Sequence, residues 1–232
     1  MAVYAKLIAA TPDADRVVAA AAKICYSPSG AAEILDGLDP AKIASFLKML
    51  RSSGHLSTFE HASFTFALEG LSRVATHQLV RHRMASYSQQ SQRYVKQNDA
   101  ACIMPPSVAA LPEAAALFEA QAQSASECYE KLTALGIPRE DARFILPHGA
   151  ETRLVVTMNA RELHHFFALR LCRRAQWEIR DLARAMLREV RKAAPLLFDS
   201  AGPSCVTEGA CTEAHSCGKP YKNMESLLSD EA

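Results

Sequence analysis

Apolar residues recur along this chain with two periods, and the switches between them lay out its elements. Val3 to Ala9 reads as a short strand. Thr11-Pro12 supplies an N-cap with proline at the first helical position, and Asp13 and Asp15 fall in a first turn where the helix dipole favours acids. That helix is predicted to reach about Cys25. After a loop at Tyr26-Ser27-Pro28-Ser29-Gly30, a second helix is predicted from Asp39-Pro40, with Ile43, Phe46, Leu47 and Leu50 at helical spacing and an end before Gly54. Ala62, Phe64, Phe66 and Leu68 alternate with Ser63, Thr65 and Ala67, the pattern of a strand. Leu71 to Arg81 returns to the helical period through Leu71, Val74, Ala75, Gln78 and Leu79.

Beyond Arg81 the pattern is lost in a polar run, expected to form a loop or short helical turn, with Tyr94-Val95 opening a strand. Met104-Pro105-Pro106 and Pro112 mark a break. A long alanine-rich helix is predicted from Pro112 to Leu135, closed by Gly136. Pro138 starts another at N1, through Arg143 with Leu146 as its outer limit, before Pro147-His148-Gly149. Thr152 to Thr157 is β-prone, Asn159 caps a helix to about Arg170, and Gln176 to Ala194 is amphipathic. The expected fold class is α+β: one helix-rich domain over residues 1–200 with a small, mainly antiparallel sheet, then a polar cysteine-bearing tail over 201–232.

The polar run, Arg81 to Tyr94, holds three arginines, one histidine, three serines and three glutamines in fourteen positions, and no acid. It cannot build a core, because unpaired buried guanidinium groups are too costly. Cations, hydroxyls and amides without carboxylates suit phosphates and heterocycle edges. A solvated helix end and a nucleic-acid patch are the two other readings of the same residues.

Bulk properties narrow the field. Apolar residues make up 49% of 232 and charged residues 22%, an ordinary globular balance. A net charge of +1 excludes a global electrostatic attraction to nucleic acid or anionic membrane. Neither a secretory leader pattern nor a spanning apolar stretch is seen, so a cytoplasmic protein with seven reduced cysteines is expected. An odd count also argues against a complete disulfide framework.

Arg81-His82-Arg83, seven residues, then Ser91 and Arg93 resembles the signature of the flavin-dependent thymidylate synthases. Three further segments resemble that family in order: Gly54-His55 to Phe59-Glu60-His61, Ile137 to Pro147, and Thr157-Met158-Asn159-Ala160-Arg161 onward to Arg170 and Ala175-Gln176-Trp177-Glu178-Ile179. The resemblance implies that Arg81, His82 and Arg83 contact FAD, with Ser57, Asn159, Arg161 and His165. It implies that Gln78, Arg81, Ser91 and Arg93 contact deoxyuridylate (dUMP), that Arg143 reaches its phosphate from a neighbouring subunit, and that Arg170 binds the pyrimidine and favours its N3-deprotonated form. Gln89 is retained for both ligands. A cation beside an ionising ring nitrogen stabilises the anion, which is the physical sense of the Arg170 role.

This chain departs from the family pattern at several positions. Ser88 and Gln89 stand where many members have Asn and Glu, Leu56 and Thr58 differ from the commoner residues, His165 replaces a common Asn, and Arg174 a common His. Bland readings also stand beside the functional ones: Asn159 as a plain cap, Arg143 in an i,i+3 pair with Glu140, and Glu60-His61 leading a half-buried strand. His55 is expected near the site without an assigned role.

The implied reaction methylates dUMP to dTMP, with methylenetetrahydrofolate as carbon donor, reduced FAD as hydride donor and NADPH re-reducing the flavin. It uses no cysteine nucleophile; Cys172 is the cysteine nearest a candidate site arginine. The family also implies a homotetramer with sites between subunits and no nucleic-acid partner. The rival from another class is a phosphate- or RNA-binding module built on Arg81 to Arg93. No metal is expected in the site itself. His55 and His61 lack a third ligand placed with them. In the tail, Cys205, Cys211, His215 and Cys217 are zinc ligand types, but their gaps exceed ordinary zinc spacing, so a metal site and a reduced tail both stay open.

Overall fold

The computed structural model describes residues 3–97 and 101–229, so the outermost ends of the expected domain and tail lie outside the described residues. Strand β1 (Tyr4–Ala10) leads into α1 (Ala14–Lys23), α2 (Ala31–Asp36) and α3 (Pro40–Ser52). A 3₁₀ segment, Leu56–His61, hands over to β2 (Ser63–Ser72), α4 (Arg73–Leu79) and β3 (Ala85–Gln89). Helices α5 (Pro106–Ala109), α6 (Pro112–Ala134) and α7 (Arg139–Ala142) precede β4 (Glu151–Asn159), which runs directly into α8 (Ala160–Arg170). Then come α9 (Trp177–Ala193), α10 (Ser204–Thr207) and α11 (Met224–Leu228).

The sheet is antiparallel throughout, in the order β1-β2-β4-β3. Period-two alternation decides its faces: Phe64, Phe66 and Leu68 of β2 and Leu154, Val156 and Met158 of β4 are buried. Helices α1, α8 and α9 cover that face through Val18, Leu163, Phe167, Leu182 and Met186. On the other face Thr65 and Thr157 share a cross-strand hydroxyl hydrogen bond at 2.9 Å. The α+β expectation with a small antiparallel sheet therefore holds.

Several element boundaries differ from the sequence reading, each for a local reason. The helix expected from Leu71 starts at Arg73, because Leu71 and Ser72 complete β2 after a bulge at Gly70, whose φ is +70°. Leu71 is buried either way, so its hydrophobicity suited both periods. Ser72 Oγ then caps α4 by accepting from Ala75 N, while Ser72 N and Oγ donate to the buried Glu178 carboxylate at 2.5 and 2.6 Å. Asp13, at φ 47°, occupies the N-cap position of α1 instead of Thr11. Thr11 Oγ1 accepts from Ser63 N instead.

The middle of the polar run, Ala85–Gln89, is strand β3, with turns and irregular backbone on either side. Ser86 and Ser88 of β3 face outward, while the half-buried Tyr87 donates its hydroxyl to the carbonyls of Leu79 and His82. Tyr94-Val95 lies in a turn closed by Val95 N to Ser91 O at 3.0 Å. Pro138 sits just before α7, which is only one turn long. The short helices α2 and α5 were not foreseen. The tail is anchored to the body: Tyr221 and Leu227 are buried in the core, and the buried Arg184 of α9 donates to the Leu227 carbonyl.

Candidate active site

The β4–α8 junction sets the geometry. Asn159 ends β4 and its side chain accepts from Glu162 N at 2.9 Å, the N-cap foreseen from sequence. Glu162, Phe166 and Arg170 follow at intervals of four along α8, so they share one helical face. His82, just beyond α4, is buried against that face, with its ring edge-on to Phe166 at 5.0 Å.

Both nitrogens of His82 are engaged. Nδ1 lies 2.9 Å from Glu162 Oε1, and Arg170 Nε donates to Nε2 at 3.1 Å. Because Nε2 accepts, the proton resides on Nδ1, which donates to the carboxylate. Burial pushes the His82 pKa down, Glu162 opposes that, and the Arg170 cation adds to it; the net direction is downward, which keeps the ring neutral. Arg170 also donates to the Gln78 carbonyl at 3.4 Å. A buried acid thus orients a neutral imidazole, which orients a half-buried arginine. The ligand atoms of His82, Glu162 and His165 lie within 4.8 Å of one another, but the Arg170 guanidinium occupies the Nε2 lone pair and would repel a metal ion there.

A second group of cations gathers around α7. Arg93 Nε donates to Glu140 Oε2 at 2.8 Å, and Arg143 Nε donates to the Glu140 carbonyl at 3.1 Å. The i,i+3 pair read from spacing is thus replaced by a long-range one, with Arg93 taking the carboxylate. Ser91 Oγ accepts from Arg93 N at 3.2 Å. Arg73 joins this group: it donates to the Gln90 carbonyl, its buried Nε has no partner, and burial with Arg143 nearby pushes its pKa down. Gln78 reaches Gln176, which caps α9.

A cavity of about 1230 Å³ opens on the other side of Glu162. It is lined by Asn159, Arg161 and His165, which the resemblance assigns to FAD, and also by Met84, Lys48 and Arg51. Arg161 pairs with Glu60 at 2.6 Å and Arg51 with Asp199 at 2.9 Å.

The structure therefore brings together Gln78, His82 and Arg170; Ser91, Arg93 and Arg143; and Asn159, Arg161 and His165. Arg81 and Arg83 are exposed at the turn flanking His82, with no side-chain partner among the described residues, and Ser57 and His55 are exposed beside the 3₁₀ segment. Gln89 turns toward the hydroxyls of Thr76 and Thr152, at 3.3 and 3.2 Å. Glu162 and Arg73 were missed from sequence. A carboxylate on the otherwise apolar face of α8, in step with Phe166 and Arg170, was the available signal for the first. Cys172 lies near Arg170 in sequence but lines a different cavity, and burial pushes its thiol pKa up, away from the thiolate a nucleophile needs.

The class these features define is an α+β protein with arginines gathered near a neutral, acid-oriented histidine, at α7 and along a large cavity. The family described as thymidylate synthase complementing protein matches residues 6–196. A flavin-dependent thymidylate synthase from Geobacter sulfurreducens is 51% identical over 216 residues, covering 92% of this chain and 93% of that one. Another from Clostridium tetani is 49% identical over 245 residues, covering 98% of each. Among solved structures, a UMP/dUMP methylase from Streptomyces cacaoi bound with 5-Br dUMP superposes with a TM-score of 0.77 at 27% identity, over 85% of this chain and 93% of that one. The chain belongs to the flavin-dependent thymidylate synthase family. Among the described residues no helix is long and apolar enough to cross a membrane.

Proposed function

We propose that this protein converts dUMP to dTMP, and the observation that carries the reading is Arg170 aimed by the neutral His82. An arginine fixed by an uncharged partner keeps its full positive charge for the pyrimidine, where it favours loss of the N3 proton. Gln78, whose carbonyl also holds Arg170, offers its amide to the base edge. Ser91, Arg93 and Arg143 bind the phosphate, with Arg73 behind them. The phosphate displaces the exposed Glu140 carboxylate from Arg93, since a dianion outcompetes a solvated carboxylate for a guanidinium.

The large cavity fits FAD by its donor set: Lys48, Arg51 and Arg161 are cations for a pyrophosphate, and the Asn159 amide and His165 suit a heterocycle. With FAD held by these residues, its reduced form would supply the hydride, methylenetetrahydrofolate the carbon and NADPH the reducing equivalents. Glu162 borders both this cavity and the His82 pair, so flavin and nucleotide sites share one wall. Arg81, Arg83 and Ser57, exposed in the single chain, complete the cofactor site across a subunit boundary in a homotetramer. Exposed Phe144 and Ile145 beside Arg143, at 85% and 43% accessibility, support burial of this region by another copy. No cysteine acts as nucleophile, a reading supported by the raised Cys172 thiol.

The visible spectrum of the purified protein tests this reading. A yellow protein bleached by NADPH is expected. A colourless protein with steeply salt-dependent polyanion binding would instead favour the binding-module alternative.

A further inference from the structure

Four of the seven cysteines line one cavity of about 250 Å³, where the C-terminal segment folds over the end of α8. Cys172 lies just past α8, Cys205 is in α10, and Cys211 and Cys217 follow in the irregular stretch before α11. None is in a disulfide.

The stretch from Glu208 to Pro220 contains no Val, Leu, Ile, Met, Phe, Tyr or Trp, so it has no apolar side chains with which to build a core of its own. It nevertheless folds back on the body, held by polar contacts such as Thr212 to Ser204 at 3.0 Å and Arg174 to Glu213 at 3.4 Å. A loop with so few apolar residues gains order from a staple such as a bound metal.

We propose that Cys172, Cys205, Cys211 and Cys217 together hold a soft metal centre, with one thiolate from the body and three from the C-terminal segment. Thiolates select zinc or iron–sulfur clusters over hard cations. His215, the other ligand type in this segment, is exposed and does not line the cavity; Cys172 takes the fourth position instead. Two guanidinium groups adjoin Cys172: Arg173, stacked over the Tyr221 ring at 4.3 Å, and Arg174. They offset the negative charge that four thiolates carry even with a divalent ion bound.

The sulfurs are spaced more widely than a single tetrahedral ion holds them. A tetrahedral zinc holds its sulfurs about 3.8 Å apart, from Zn–S bonds of about 2.3 Å. Among the described residues, no three of these sulfurs lie within 4.8 Å of one another. An iron–sulfur cluster with one thiolate on each of four irons needs wider spacing and more room. Ligation would also tie the C-terminal segment to the helix that bears Arg170.

The test is metal and acid-labile sulfide analysis of the full-length protein, purified without oxygen and without chelators or added metal. About four irons and four sulfides per chain identify a cluster, and about one zinc per chain identifies an ion; either supports the site. Cys211→Ser and Cys217→Ser are each expected to cut bound metal at least ~5-fold, while Cys25→Ser, at an exposed position after α1, leaves it unchanged. Metal below about a tenth of an equivalent in the unsubstituted protein, metal that survives both serine variants, or a disulfide joining any two of the four cysteines overturns the proposal. The measurement on the unsubstituted protein stands even if a variant fails to fold.

Discussion

Arg170 donates its Nε–H to Nε2 of His82 at 3.1 Å, and the same imidazole meets Glu162 at 2.9 Å through Nδ1. That pair of contacts makes the orientation of Arg170 depend on a carboxylate it does not touch. His82→Ala is expected to lower kcat by roughly 10²-fold, the cost of about an ångström of misplacement at a reacting group. Combined with Arg170→Ala, it is expected to add little further, because the two act as one unit. Steady-state kinetics of the two single variants and the double variant give the coupling; losses that simply multiply would show that His82 does not act through Arg170.

Arg73 is the residue most newly drawn into the site. Its Nε is buried and unpaired beside Arg143. Arg73→Met is expected to raise the KM for dUMP about tenfold, near 1.4 kcal/mol, with kcat changed less. Glu140→Gln, which frees Arg93 from its exposed partner, is expected to lower that KM about 2- to 5-fold, within the range of a surface pair. Equal KM values for wild type and both variants would remove the phosphate from this group.

The His164 ring stacks on Phe198 and meets the Leu197 carbonyl at 3.0 Å. Burial pushes its pKa down to about 4. The unfolded chain then binds a proton that the folded chain refuses, so stability is full above about pH 6.5 and falls between there and about pH 4. Each pH unit in that window costs up to about 1.4 kcal/mol from this group. Urea midpoints measured against pH are expected to slope less in His164→Gln; identical slopes would contradict the assignment.

Ser72 and Glu178 join α4, which leads to His82, to α9. Ser72→Ala removes a helix cap and leaves one buried carboxylate oxygen short of a donor, at a cost of about 1–3 kcal/mol. Thermal melting would register this. A melting temperature unchanged by the substitution would mean that water replaces the hydroxyl.

Strong periodicity was legible in the sequence: the Phe64-Phe66-Leu68 alternation gave the central strand, and Asn159 gave the start of α8 to the residue. The Arg81–Arg93 run pointed to anion chemistry through its lack of acids, yet the strand β3 at its centre was hidden. Its alternation is of Tyr87 among serines, and its ladder partner, Leu154 to Met158, lies far along the chain. Glu162 was hidden for a related reason. Its partner His82 is 80 positions away, and only the packing of α8 on the α4–β3 turn pairs them. Arg93 and Glu140 likewise met across a distance that spacing rules do not cover.

The most direct test is formation of dTMP from dUMP, methylenetetrahydrofolate and NADPH by the full-length protein and by Arg170→Ala. The expected result is NADPH-dependent dTMP in the wild type, with a loss of about 10²-fold or more in the variant while it keeps its flavin colour. A flavin-loaded Arg170→Ala protein that makes dTMP within about twofold of the wild-type rate would contradict the account.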